Sequence, residues 1–190
     1  GGSGNPSAPT AKGVVCGMEA AMNFSDGSTL EGKTIASQGM GHVAEPMFEY
    51  LFEKNVRKII TCDIYPDLVE RLKNKFKNKN FEAYVVERND ISIFSAKADI
   101  FSPNATGAVL NPNSIPTIYA KIVCGAANNQ LEEAERDDKA LFDRGIVYIP
   151  DFLTNRMGIV NCANEQYGLI SDDPNINQHF RRDWEYSIFN

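Results

Sequence analysis

The sequence predicts an α/β protein, a doubly wound parallel sheet with helices on both faces. Three observations carry that prediction. Strand-like and helix-like segments alternate along most of the 190 residues, the pattern of consecutive βαβ units. The clearest strand candidate, residues 58–62 (KIITC), is apolar or β-branched after its opening lysine rather than alternating, as a strand covered on both faces must be. The glycine run Gly39-Met40-Gly41-His42-Val43-Ala44 falls where a strand candidate hands over to a helix.

Taken in order, residues 11–22 carry apolar side chains at Val14, Val15, Met18, Ala21 and Met22, a helical period. Residues 24–33 (FSDGSTLEGK) read as loop, and 34–37 as a short strand. Residues 42–52 read as a helix with Val43, Met47, Tyr50 and Leu51 on one face. Pro46 is tolerated there because it lies in the first turn. After the strand at 58–62, residues 67–76 (DLVERLKNKF) form an amphipathic helix led by Pro66. Strand candidates follow at 83–86, 99–101, 121–125 and 146–149. A charged helix over 130–144, with Leu141 and Phe142 turned inward, separates the last two, and 158–166 opens one more helix.

The glycine run has a mechanistic reading. It follows a strand and opens a helix, and a second strand ends in Asp63, 24 residues after Gly39, near the ~20 expected of a dinucleotide-binding fingerprint. Gly39 permits the tight turn, Gly41 lets backbone approach a pyrophosphate, and Ala44 lets helix and strand pack closely. A pyrophosphate would sit at the helix N-terminus, against free N–H groups and the positive end of the dipole. Asp63 would accept hydrogen bonds from the adenosine ribose and repel a 2′-phosphate. The following Ile64-Tyr65-Pro66 supplies no arginine, so NAD is expected over NADP. These features make the predicted fold a Rossmann-type dinucleotide-binding domain.

Bulk composition narrows the field. The chain is 43% hydrophobic and 23% charged with a formal net charge of −6. That balance argues against nucleic acid or an anionic membrane as partner, since both require a basic face. No apolar run approaches the ~20 residues of a membrane span. Cys16, Cys62, Cys124 and Cys162 are scattered without metal-ligand spacing, and His42 and His179 are the only histidines. Neither a metal site nor a disulfide framework is expected, and reduced thiols fit a cytoplasmic setting. Residues 1–8, opening Gly1-Gly2-Ser3-Gly4, read as a linker or cloning scar. Residues 9–168 read as the NAD-binding domain and 169–190 as an aromatic-rich extension.

Five stretches resemble, in order, the cofactor-binding domain of the glutamate/leucine/phenylalanine/valine dehydrogenase family, closest to its leucine and phenylalanine branch. They are TAKGVVCGMEAA, LEGKTIASQGMGHVA, DIFSPNATGAVLN, IVCGAANNQL and GIVYIPDFLTNRMGIVNCANEQYG. The resemblance implies NAD-dependent oxidative deamination of an L-amino acid to a 2-oxo acid. It implies that Gly39, Gly41, His42 and Val43 hold the pyrophosphate and that Asp63 and Ile64 hold the adenosine ribose. Ser102, Pro103, Asn104 and Ala105 would lie along the nicotinamide ribose, and Ala127 and Asn128 at the carboxamide. Asn155 and Thr10 would stand on the substrate side. In this family a separate N-terminal domain supplies the catalytic lysine and aspartate, so no catalytic residue is expected in this chain, and a homo-oligomer is a possible assembly.

Two departures stand out. The family has Asn-Ala-Gly-Gly where this chain has Asn155-Arg156-Met157-Gly158, and a larger His42 replaces the usual asparagine in the phosphate loop. The lysine-rich 70–81 reads as the solvated face of a helix. The aromatic tail, with Phe180, Trp184, Tyr186 and Phe189, must pack back on the domain or serve an interface.

Overall fold

The structure is a computed structural model that describes residues 5–166 and 177–187. The chain opens with α1 (Ser7–Asp26), which buries Ala11, Val14, Val15, Met18, Ala21 and Met22. This helix runs four residues past the predicted end. It stops at Gly27, whose left-handed φ of 72° lets its N–H close on Asn23 O. Then come β1 (Thr34–Gln38), α2 (Ala44–Glu53), β2 (Lys58–Asp63), α3 (Pro66–Lys75), β3 (Phe81–Val85) and β4 (Ile100–Pro103). The second half supplies β5 (Ile122–Cys124), α4 (Ala134–Asp143), β6 (Val147–Ile149), α5 (Asp151–Thr154) and α6 (Arg156–Gln166).

All five strand pairings are parallel, and the sheet order is β3-β2-β1-β4-β5-β6. The chain winds outward from β1 to one edge, returns to the centre and winds outward again. The reversal between β1 and β4 leaves a crevice beyond the carboxyl ends of the central strands. Both faces of the sheet are covered. Ile35, Ile59, Ile100 and Ile122 pack under α1 and α2, while Ala36, Phe101 and Val123, their neighbours in sequence, pack with Ile115, Ile118 and Leu141 on the other side. Successive residues of one strand are therefore both core, which is why the strands read as unbroken apolar runs.

Two expectations are corrected. The charged helix begins at Ala134, not at 130; Gln130 is fully buried in the preceding loop, and Leu131 bridges to Leu110. Leu141 is buried as expected, but Phe142, the next residue round α4, faces outward and is 79% exposed. The short α5 and two 3₁₀ turns (Ser92–Ser95 and Ile115–Thr117) had no sequence signal of their own. In the tail, Lys12 stacks on the Phe180 ring at 4.4 Å, and Arg156 Nη2 donates to Tyr186 O at 2.9 Å. Met157 is fully buried. Phe189 and the junction at residues 167–176 lie outside the described residues.

Candidate functional site

The glycine turn is built by backbone geometry. Gly39 has φ +93°, and a Cβ there would press on Ala105 at 3.0–3.2 Å. The position is closed to side chains by both conformation and space. The Gly39 N–H donates to Cys62 O at 2.9 Å, and the Met40 N–H donates to Asp63 Oδ2 at 2.8 Å. Asp63 Oδ1 accepts from the Tyr65 N–H at 3.2 Å. Two strand ends are thus pinned to each other by one carboxylate. At Gly41 the situation reverses: a Cβ would meet nothing within 4 Å. The N–H groups of Gly41, His42 and Val43 find no backbone acceptor among the described residues. They stand at the N-terminal end of α2, the positive end of its dipole.

A cavity of about 710 Å³ occupies the crevice, within the range of small-molecule and cofactor sites. Of the predicted residues, Gly39, Gly41, Asp63, Ile64, Asn104 and Ala105 line it. The loop after β3, residues 86–91, and residues 106–109 of the opposite lip complete the wall; sequence reasoning missed both. Arg88 lines the cavity together with Asp63, Glu87 and Asp90. The cavity thus has an arginine, absent from 64–66, in the loop after β3. Cys62 also lines the cavity, and burial pushes its thiol up to about 12, so it stays neutral.

The second lip is held by side-chain amides. Asn104 Nδ2 donates to Ser37 Oγ at 2.9 Å and to Ser102 Oγ at 2.9 Å. Asn104 Oδ1 accepts from the Ala126 N–H at 2.9 Å. Gln130 Nε2 donates to Gly125 O at 3.1 Å and to Ala127 O at 3.0 Å. Thr154 Oγ1 donates to Gly125 O at 2.8 Å. Asn155 Nδ2 donates to Asn128 Oδ1 at 2.7 Å, which joins two of the predicted residues. Asn129 takes φ +51°, and its N–H donates to Asp151 Oδ2 at 2.8 Å.

Not every predicted residue presents its side chain. Ser102 is fully buried, with its hydroxyl toward Met47 Sδ at 3.8 Å. The Pro103 carbonyl already accepts from the Ala127 N–H at 3.0 Å. Thr10 is 8% exposed and donates to Pro6 O at 2.7 Å; a Cβ on Gly158 would strike its hydroxyl at 2.7 Å. Thr10 thus sets the approach of α1 and α6. Gln130 and Thr154 were not singled out, although both lie inside the quoted stretches. Their role depends on carbonyls that only the folded loop brings near. No cluster of potential metal ligands occurs among the described residues, and no helix among them is long and apolar enough to cross a membrane.

Strand order, glycine turn and crevice together define a Rossmann-type α/β domain. The family profile of Glutamate/Leucine/Phenylalanine/Valine dehydrogenase matches residues 1–182, and the chain belongs to that family. It is 42% identical to leucine dehydrogenase of Geobacillus stearothermophilus over 169 residues, 88% of this chain and 44% of the relative. It is 38% identical to phenylalanine dehydrogenase of Lysinibacillus sphaericus, covering 88% of this chain and 43% of that one. The crystal structure of L-tryptophan dehydrogenase from Nostoc punctiforme superposes with a TM-score of 0.78 at 38% identity, over 88% of this chain and 49% of that one. The chain spans less than half the length of the curated relatives it matches.

Proposed function

We propose that this chain is the NAD-binding half of an amino-acid dehydrogenase. The observation that carries the reading is the contrast between the two glycines. Gly39 is sealed, whereas Gly41 lines the same cavity as Asp63 and begins a run of three N–H groups, Gly41 to Val43, without a backbone acceptor among the described residues. A pyrophosphate fits such donors and a ribose diol fits such a carboxylate. NAD, when bound, supplies the hydride acceptor for oxidation of an L-amino acid to a 2-oxo acid.

The chain's own groups bind and orient. Gly41, His42 and Val43 offer backbone donors to the phosphates. Asp63 and Ile64 hold the adenosine ribose. Ala105 and the backbone about 102–104 flank the nicotinamide ribose, and Ala127 and Asn128 meet the carboxamide. Asn155 supports Asn128 from the substrate side. The lysine and aspartate that the family uses to polarise the carbonyl and move protons are assigned to a separate domain outside these 190 residues. Homo-oligomerisation, a cytoplasmic setting and the domain division 1–8, 9–168 and 169–190 belong to the same reading.

A second reading has one observation in its favour. Met157 is core and Arg156 is tied to Tyr186, so the two departures near the substrate side serve packing. A non-catalytic NAD-binding or interaction module would be built that way.

Titration with NADH and then NADPH tests the cofactor site on which the first reading rests, with energy transfer from Trp184, the only tryptophan, as the signal. Saturable binding with NADH preferred is expected from Asp63. A preference for NADPH would transfer control of the ribose end to Arg88, and binding of neither would remove the cofactor site.

A further inference from the structure

The two lips of the crevice meet at one side chain. Asn104 follows β4, and its backbone N–H donates to Gln38 O at the end of β1, at 2.8 Å. Its Nδ2 reaches Ser37 Oγ, Ser102 Oγ and Ser102 O at 2.9, 2.9 and 3.0 Å. Its Oδ1 accepts from the Ala126 N–H. Ser37 Oγ in turn donates to Gly39 O at 3.1 Å. The orientation of the amide is fixed by chemistry: Ala126 N–H can only donate and Ser102 O can only accept, so a flipped amide would oppose like to like at both ends. Ser37 and Ser102 are both fully buried, which makes each of these bonds expensive to lose.

This wiring leaves the Asn104 amide no hydrogen for a ligand. Two N–H groups already face three acceptors. A direct contact with a nicotinamide ribose is therefore not its role. The arrangement instead runs from Gly39, in the phosphate loop, through Ser37 and Asn104 to Ala126, beside the residues assigned to the carboxamide. Neither an aspartate, which lacks the donors, nor a leucine, which lacks everything but shape, can make that connection.

We propose that Asn104 is a positioning residue. It locks the phosphate loop and the loop after β5 at one spacing, so that a dinucleotide spanning both lips meets a preformed site. The proposal rests on the nucleotide-binding reading above. Its signature is selective. A ligand that touches both lips depends on their spacing; one that touches only the phosphate loop does not.

The test compares NADH with ADP by calorimetry on the parent chain, Asn104→Ala, Ser37→Ala and the double variant. Asn104→Ala is expected to weaken NADH ~10-fold and ADP by no more than ~2-fold, the scale of one or two buried hydrogen bonds acting on one ligand only. Ser37→Ala should show the same split more weakly. The double variant should lose less than the two singles combined, because both cut one chain of bonds. Equal losses for NADH and ADP, or strictly additive losses, would overturn the proposal. Amide hydrogen exchange over residues 125–129 judges the tie without any ligand. Faster exchange at Ala126 in Asn104→Ala supports it, and unchanged exchange overturns it. Should the parent chain bind neither ligand, the cofactor reading fails and the exchange result alone decides. Should Asn104→Ala not fold, Ser37→Ala carries the same comparison.

Discussion

The two lips of the crevice are built by different means. The phosphate-loop side, from β1 to β2, is made of backbone: a left-handed glycine, two strand-end hydrogen bonds and one acid that clamps Met40 and Tyr65. The β4–β5 side is made of side-chain amides and a hydroxyl that reach backbone carbonyls and the Ala126 N–H. A backbone-built lip depends on which residues have no side chain. An amide-built lip depends on which side chains have partners. The first should fail when atoms are added, the second when they are removed.

The largest effect separates the two glycines. Gly39→Val forces a branched residue to φ +93° against Ala105, and a loss of about 3 kcal/mol in urea unfolding is expected. Gly41→Val meets nothing within 4 Å. Its stability should stay within about 0.5 kcal/mol of the parent, while NADH binding disappears. If Gly41→Val binds NADH normally, the phosphates lie elsewhere.

Asp63→Ala comes next. It leaves the Met40 and Tyr65 N–H groups without the carboxylate, a loss of about 2 kcal/mol for two partly exposed charge-assisted bonds. The same variant should weaken NADH more than NADPH, and equal losses would remove the ribose assignment. Gln130→Leu is smaller. Gly125 O and Ala127 O each lose a donor, but the Gln130 Oε1 that has no partner goes too. The net loss should be about 1 kcal/mol, readable as a lowered urea midpoint. A loss as large as that of Gly39→Val would mean that the amide-built lip is the stiffer one.

The same division explains what could be read in advance. Gly39, Gly41, Ala44 and Asp63 are legible because each does one job that few residue types can do, at spacings set by one strand and one helix turn. Strands such as 58–62 are legible because both faces are core. The helix α4 begins at Ala134, but Gln130 reads as helix in the sequence because a polar residue before a charged helix resembles its first turn. Its true partners, the Gly125 and Ala127 carbonyls, come within reach only when the loop folds. Arg88 escaped because the sheet order, not sequence proximity, puts the end of β3 beside the end of β2. Hydrophobicity alone turns Phe142 inward, but in the fold Leu141 takes the core-facing position of α4 and Phe142 does not.

The smallest effect sharpens the picture of the backbone-built side. Glu45, in the first turn of α2, receives both Arg71 nitrogens, at 3.0 and 2.7 Å, and Lys75 Nζ at 2.6 Å. The Arg71 hydrogen bonds, more than the attraction of Lys75, hold its carboxyl down at about 2 from an ordinary 4.5. A depressed folded value means that the stabilisation is complete above pH 4.5 and disappears as pH falls from there toward 2. The pairs are largely solvated, with Arg71 54% exposed at its side chain, so Glu45→Gln should lose only about 0.5–1 kcal/mol at pH 7 and low salt. The gap between parent and Glu45→Gln in urea midpoint should narrow steadily below pH 4.5 and shrink with added salt. A gap that held its full size at pH 2.5 would mean that Glu45 acts through shape, not charge. The anchoring of α3 to α2 would then rest on packing and on the remaining Lys75–Glu49 pair.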